Sequence, residues 1–428
     1  MPRVRPCDAR PLRERTTFMY PSVLGLKKSF GFGDRLGLAT PGHLAAARQF
    51  DFAPIFAQQS IREMERTQRT PDQVMSAAKS ALSEGGYEGI WGSDADRLKT
   101  ARDVDINAAA GFTFFTIDPS AGVNNLADSM SESALEAEVA AQRATMIWGD
   151  YSPRQYLEQE WELGDEKLQF SQETLYRAVV KYGRALALAA QMSSEIEWYT
   201  EHKPYEVEVS VDETETPTSP IEHLFFALEL KRRRVQNLVS LAPRFVGDME
   251  KGVDYKGDLG AFEADLQKHV AIAKAVGPYK ISVHSGSDKF SIYPIVGRVC
   301  GELLHVKTAG TSYLEALRCA LQSDEGLFND IVHFSHERFD ADRATYHISA
   351  TPEDNAVLAR QQLTGFTLED AYLNEDKGRQ ILHVTFGSVL TDENLKSRLL
   401  ANLEDNAGLH SHLLEHHFVK HLEALNAG

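Results

Sequence analysis

Short strand-like segments alternate with amphipathic helical patterns along almost the whole chain, and this alternation limits the fold more than any other feature. Eight segments read as strands: 30–39 (FGFGDRLGLA), 87–92 (YEGIWG), 112–118 (FTFFTID), 205–211 (YEVEVSV), 237–242 (NLVSLA), 280–284 (KISVH), 303–308 (LLHVKT) and 380–386 (QILHVTF). Between them, stretches such as IFAQQSIREMER, PDQVMSAAKSALSE and FEADLQKHVAIAKAV repeat apolar residues three and four apart, the spacing of one helix face. Strand then helix, repeated, predicts parallel βα units. Eight such units close into a (β/α)8 TIM barrel, with an open doubly wound sheet as the rival. Two intervals, roughly 119–204 and 309–379, are too long for simple crossovers. Their patterns predict helical insertions after strands 3 and 7 of a single domain spanning 21–428.

The composition suits such a core, with 43% hydrophobic and 25% charged residues among 428. A net charge of -17 disfavours nucleic acid and anionic membranes as partners, because both are repelled at long range. It leaves room for a small anionic substrate held by a local cluster of donors. Cys7, Cys300 and Cys319 form no paired motif, which fits a reducing, cytoplasmic compartment. No apolar run is long enough to span a membrane. The arginine-rich stretch MPRVRPCDARPLRER lacks the apolar core of a secretory signal, so residues 1–20 read as a flexible leader.

Polar clusters fall at the predicted strand ends, where a barrel gathers its active site. They include GDRLGLATPGH (33–43), SDADRLK (93–99), VDETETPTSP (211–220), HSGSDK (284–289) and HVKTAGTS (305–312). Alternation puts Lys280, Ser282 and His284 on one face, and Glu206, Glu208, Ser210 and Asp212 on another. Charges facing a barrel interior need partners: paired charges, a polar ligand or a metal ion. His284 and His383 each fall late on a predicted strand, and His43 closes the first loop. Imidazole is a common metal ligand, and a core histidine bonded to a neighbouring strand is the plain alternative. Asp94 and Asp96 after the second strand, and Asp212 and Glu213 after the fourth, are placed to bind a metal, to move protons or to cap the next helix. Lys307 is placed like a Schiff-base lysine or as a simple anion contact. The small-residue runs SGSDK and KTAGTS, with Ser285, Ser287, Lys289 and Thr308, and with Arg35 nearby, suit a carboxylate or phosphate. The tail HSHLLEHHFVKH carries histidines at helical spacing without a metalloprotease glutamate, and reads as a surface helix.

The phrases FGFGDRLGLATPGH, VDETETPTSP, PRFVGDMEKGVDYKGD, KISVHSGSDKFSIYP, HVKTAGTSYLEALR and HVTFG resemble the tagaturonate epimerase family, from about residue 28 to the C-terminus. The resemblance implies a TIM-barrel enzyme that interconverts D-tagaturonate and D-fructuronate with a divalent cation, manganese, nickel or zinc. It implies metal roles for His43, His284 and His383, and an acid/base pair in Asp94 and Glu213. Arg35, Ser285, Ser287, Lys289, Lys307 and Thr308 would then hold the sugar acid. A homo-oligomer is compatible with this reading. Two alternatives stay open: a Schiff-base aldolase using Lys307, and a non-catalytic sugar-acid binding protein.

Overall fold

Eight parallel strands close on themselves in the computed structural model, which describes residues 20–148, 152–164 and 166–428. Ten strands run in chain order: β1 (Ser29–Gly33), β2 (Ala53–Ser60), β3 (Gly92–Leu98), β4 (Phe114–Ile117), β5 (Glu160–Leu163), β6 (Glu166–Gln169), β7 (Glu206–Ser210), β8 (Leu238–Ala242), β9 (Lys280–Val283) and β10 (Leu304–Thr308). β5 and β6 pair only with each other, as an antiparallel hairpin outside the barrel. The other eight follow the ring order β1-β10-β9-β8-β7-β4-β3-β2, with every pairing parallel. The expected TIM barrel is therefore the fold.

Local chemistry explains where the surrounding helices begin. Thr70, Ser219 and Thr351 each cap a helix with a reciprocal capping box and are followed by proline at the first helical position. Val207, Val209, Ile281 and Val283 are buried between barrel and helices. The opposite faces of the same strands carry Glu206, Glu208, Lys280 and Ser282, also buried. The C-terminal helix Ala407–Asn426 packs against Thr40–Ala47 and Tyr293–Cys300. The HSHLLEHHFVKH tail is thus only partly the surface helix expected: His410 and His421 are buried.

Three strand assignments need correction. β2 lies in a segment whose period suggested a helix. All eight of its residues are buried, and a strand covered on both faces shows no alternation. Residues 380–386 form no strand: they run from helix Asp376–Val384 through Thr385 into helix Phe386–Thr391. That segment is buried all round, so its continuous hydrophobicity mimicked a strand. The strand expected at 87–92 instead begins at Gly92, which moves SDADRL from a loop onto β3 itself. As a result, long helical segments follow the fourth and eighth barrel strands rather than the third and seventh. The first holds Glu132–Ala144, the β5–β6 hairpin and Gln172–Tyr199; among the described residues everything ordered after Thr308 is helical. The leader expected over 1–20 lies, apart from Tyr20, outside the described residues. Among those residues no helix is long and apolar enough to cross a membrane.

Candidate active site

Lys307, at the end of β10, organises the barrel interior. Its ammonium lies 2.7 Å from Asp94 Oδ2, 2.9 Å from Asp96 Oδ1 and 2.8 Å from Glu208 Oε1, and it donates to Thr116 Oγ1. Burial opposes the charge, but Asp94, Asp96 and Glu208 together raise the Lys307 pKa above its ordinary value. An ammonium held so firmly is a poor Schiff-base nucleophile, which removes the chemical basis of the aldolase alternative. Asp94 pays for its depth: burial raises its pKa to about 7 in spite of Lys307. Asp96 and Glu208 go the other way. Burial opposes them too, yet Lys307 holds both below the usual carboxylate range.

His284 follows β9 and meets the same network. Its Nε2 lies 2.6 Å from Glu208 Oε1 and its Nδ1 lies 3.4 Å from Asp212 Oδ1. Burial disfavours the imidazolium, but Asp212 and Glu208 raise its pKa to about 9. Arg97 completes the ring, 2.7 Å from Asp212 and 3.2 Å from Glu213, while Arg62 reaches Glu213 at 2.9 Å. Arg97 sits at φ 58°, where the β3–β4 register shifts. Such a bulge re-aims a side chain at a modest strain. Ser285 (φ 51°) and Asp288 (φ 58°) carry the same left-handed backbone in the turn that opens the HSGSDK stretch.

Two cavities meet above this network. The inner one, about 70 Å³, is lined by Arg35, Asp96, His284, Ser285, Lys307 and His383, among others. The outer one, about 390 Å³, is lined by Asp212, Glu213, Arg244, Phe245 and His347, among others. Arg62, Arg97, Lys251, His284, Ser285 and Tyr346 border both.

Several expected site residues therefore converge: Arg35, His284, Ser285, Ser287, Lys307 and His383 on the inner cavity, and Glu213 on the outer. Arg35 donates through Nε to Glu63 at 2.8 Å and stacks on Phe386, while its buried Nη1 has no hydrogen-bond partner. His383 comes from a helix rather than a strand. Its neutral ring is favoured by burial and then by the Arg35 charge, and its Nδ1 has no partner.

Four expected residues lie elsewhere. His43 belongs to helix Thr40–Ala47, stacks on Phe32 and pairs with Ser312 Oγ at 2.9 Å. It is a core histidine behind the barrel wall, so the three histidines do not form one metal site. Thr308 Oγ1 donates to Gly31 O at 2.7 Å. Lys289 Nζ is spent on the carbonyls of Glu250, Val253 and Ser287. Asp94 lies one layer beneath the cavity floor, where Asp96 takes its place. The sequence reading weighed Asp96 beside Asp94 but kept only Asp94 for the site, and it did not select Arg62, Arg97 or Lys251. A correct start for β3 puts Asp94 and Asp96 on one face of the strand, with Asp96 nearer its end and so nearer the cavity; Lys251, in an irregular loop, carried no signal.

The cavity residues suit a divalent cation in type. Asp96 on the inner cavity and Asp212 on the outer offer carboxylates, His284 pairs with Asp212 and with Glu208, and the unpartnered Nδ1 of His383 stands on the wall. Oxygen and imidazole donors are those first-row divalent ions accept. A separate trio, Asp288, His417 and His421, brings three donor atoms within 4.8 Å of one another and is able to hold a metal ion. Its donors are already engaged, Asp288 by Arg379 and His421 by the Asp288 backbone amide.

Close glycines let the wall approach. A Cβ on Gly310 would fall 1.8 Å from His383 Cε1. Gly310→Ala is therefore expected to cost about 1–3 kcal/mol by overpacking, read by urea unfolding, and to raise KM as His383 leaves the wall.

The model for the family described as tagaturonate epimerase matches residues 5–425. The tagaturonate/fructuronate epimerase of Thermotoga maritima is 42% identical over 418 residues, covering 97% of this chain and 84% of that protein. The native crystal structure of the fructuronate-tagaturonate epimerase of Cohnella laeviribosi superposes with a TM-score of 0.87 at 34% identity, over 95% of this chain and 83% of that one. Its complex with one glycerol gives a TM-score of 0.88 over the same shares.

Proposed function

Because the chain belongs to the tagaturonate epimerase family, we propose that it is a carbohydrate epimerase that interconverts D-tagaturonate and D-fructuronate by inverting carbon 4. The observation that carries this reading is 42% identity across 97% of the chain to an enzyme of that name. The layered charges at the barrel mouth supply the chemistry.

Carbon 4 is one carbon removed from the position that the ketone acidifies, so simple enolisation does not reach it. A retro-aldol path does. Asp96, which lines the inner cavity, takes the proton from the carbon-4 hydroxyl. The bond between carbons 3 and 4 breaks, and its electron pair enters the enediolate of one fragment. The other fragment, an aldehyde bearing the carboxylate, turns about its carbon–carbon bond. Carbon 3 then adds to the opposite face, and the proton returns to the carbon-4 oxygen. Lys307 and Arg97 keep Asp96 ionised for the first transfer. Glu213, between Arg62 and Arg97, serves the other face from the outer cavity. Ser285 and Ser287 offer hydroxyls to the sugar from the inner cavity wall.

A divalent ion would be held at the inner cavity by the unpartnered Nδ1 of His383 and by His284, whose ring would give up the proton it shares with Glu208. Bound there, it supplies Lewis-acid polarisation of the ketone oxygen. Chelator-stripped protein should lose at least about 100-fold in tagaturonate conversion and regain it with manganese, nickel or zinc. Full activity in stripped protein, with metal content confirmed as negligible, would refute the metal reading.

A further inference from the structure

Four cationic side chains crowd the throat between the two cavities, and three are already neutralised. Arg62 pairs with Glu213 at 2.9 Å, Arg97 with Asp212 at 2.7 Å and His284 with Glu208 at 2.6 Å. Lys251 differs. Its Nζ donates to Ser285 Oγ at 2.6 Å, and among the described residues no carboxylate lies within 4.0 Å of it. Ser285 itself is held at φ 51°, so strained backbone presents the hydroxyl that positions this ammonium.

A half-buried ammonium with no counter-ion is unfavourable unless a ligand supplies one. Burial, and then the neighbouring Arg97 charge, push Lys251 below the ordinary lysine range against the weaker pull of Glu213 and Asp212, which are already paired with Arg62 and Arg97. Both effects oppose a lone cation and favour an arriving anion. The residues selected from the sequence for this duty do not fill it: Lys289 is spent on three carbonyls and Lys307 on three carboxylates. Within the throat the one positive charge left over belongs to Lys251.

We infer that Lys251 is the anchor for the sugar carboxylate and the residue that selects keto-uronates over neutral ketohexoses. This deepens the epimerase reading, on which it rests for the orientation of the sugar.

Calorimetry with two non-substrates tests the anchor without turnover. D-Gluconate and D-sorbitol differ at one end, a carboxylate against a hydroxymethyl group. Wild-type protein should bind gluconate at least about tenfold more tightly than sorbitol. Lys251→Met should remove that preference and leave sorbitol within about twofold, while Lys251→Arg should largely restore it. In the epimerase assay the same Met variant should raise KM for tagaturonate by about tenfold or more, with kcat little changed. The inference is overturned if wild type shows no gluconate preference, if Lys251→Met keeps it, or if the variant weakens both ligands alike. Absence of tagaturonate turnover in wild type sinks the epimerase reading instead, and the gluconate comparison still decides the role of Lys251.

Discussion

Lys307→Met is expected to destabilise the protein by about 3–5 kcal/mol, the cost of removing one member of a buried ion network. The variant leaves Asp94, Asp96 and Glu208 facing one another without the ammonium that lies within 2.9 Å of each. Glu208 keeps His284, and Asp96 keeps the field of Arg97, but Asp94 loses the one ion pair it makes among the described residues. The pH dependence gives the signature. In wild type the folded pKa values of Asp96 and Glu208 are depressed, so their stabilisation is present above the unfolded values near 4 and is lost as pH falls through the folded ones. Asp94 is already raised to about 7 in wild type; without Lys307, burial acts unopposed on it and weakly opposed on Asp96, so Asp94 rises further and Asp96 passes above its unfolded value. The sign then reverses: protonation favours the folded state, and the deficit against wild type shrinks on acidification from pH 8 towards pH 5. Urea titrations of both proteins across that range read the effect directly. A deficit under about 1 kcal/mol, or one that stays constant with pH, would show that Lys307 is not the keystone of the interior. Borohydride treatment of wild type with tagaturonate should leave the mass of the chain unchanged, since the same three carboxylates keep the nitrogen protonated.

The barrel was legible because its period is written twice, in strands of four to eight residues and in helices with an apolar stripe. Where legibility failed, burial was the reason. Ala53–Ser60 and Gly378–Phe386 are enclosed on every side, and a fully enclosed segment loses the polar face that tells a strand from a helix. One such strand was missed and one such helix was taken for a strand, so the count of eight survived an exchange of members. Site residues divide in the same way. Glu208 and His284 were readable as inward-facing because alternation fixes the side of a strand. His43 was not, because the turn after Gly33 sends the chain into a helix whose inner face looks at Phe32 and Phe418 instead of the cavity. Lys289 and Lys251 show the limit most plainly. Both are lysines in irregular loops, and the two are told apart only by what surrounds each nitrogen: three carbonyls in one case, a single serine hydroxyl in the other.

His284→Asn should lower kcat by about 10²–10⁴, the usual worth of a group that positions or moves a proton in the transition state. Its imidazole joins the two halves of the charge network, Glu208 and Lys307 on one side, Asp212 and Arg97 on the other. Asparagine retains a donor for Glu208 yet can neither carry the positive charge of the metal-free ring nor replace the imidazole as a cation ligand, so the loss should fall mainly on turnover, with KM moving less. Stability supplies a second readout, in chelator-treated protein. The folded pKa of His284 is raised to about 9 from 6.5. A raised cationic group stabilises fully below its unfolded pKa, and that contribution drains away as pH rises towards the folded value. Wild type should therefore lose stability between about pH 6.5 and pH 9 more steeply than His284→Asn, and the two curves should converge above pH 9 apart from a constant packing difference. Parallel curves across that window would mean that the imidazole is neutral in the folded protein. The site would then have to be rebuilt around a neutral ligand, with Glu208 and Asp212 bound to some other cation.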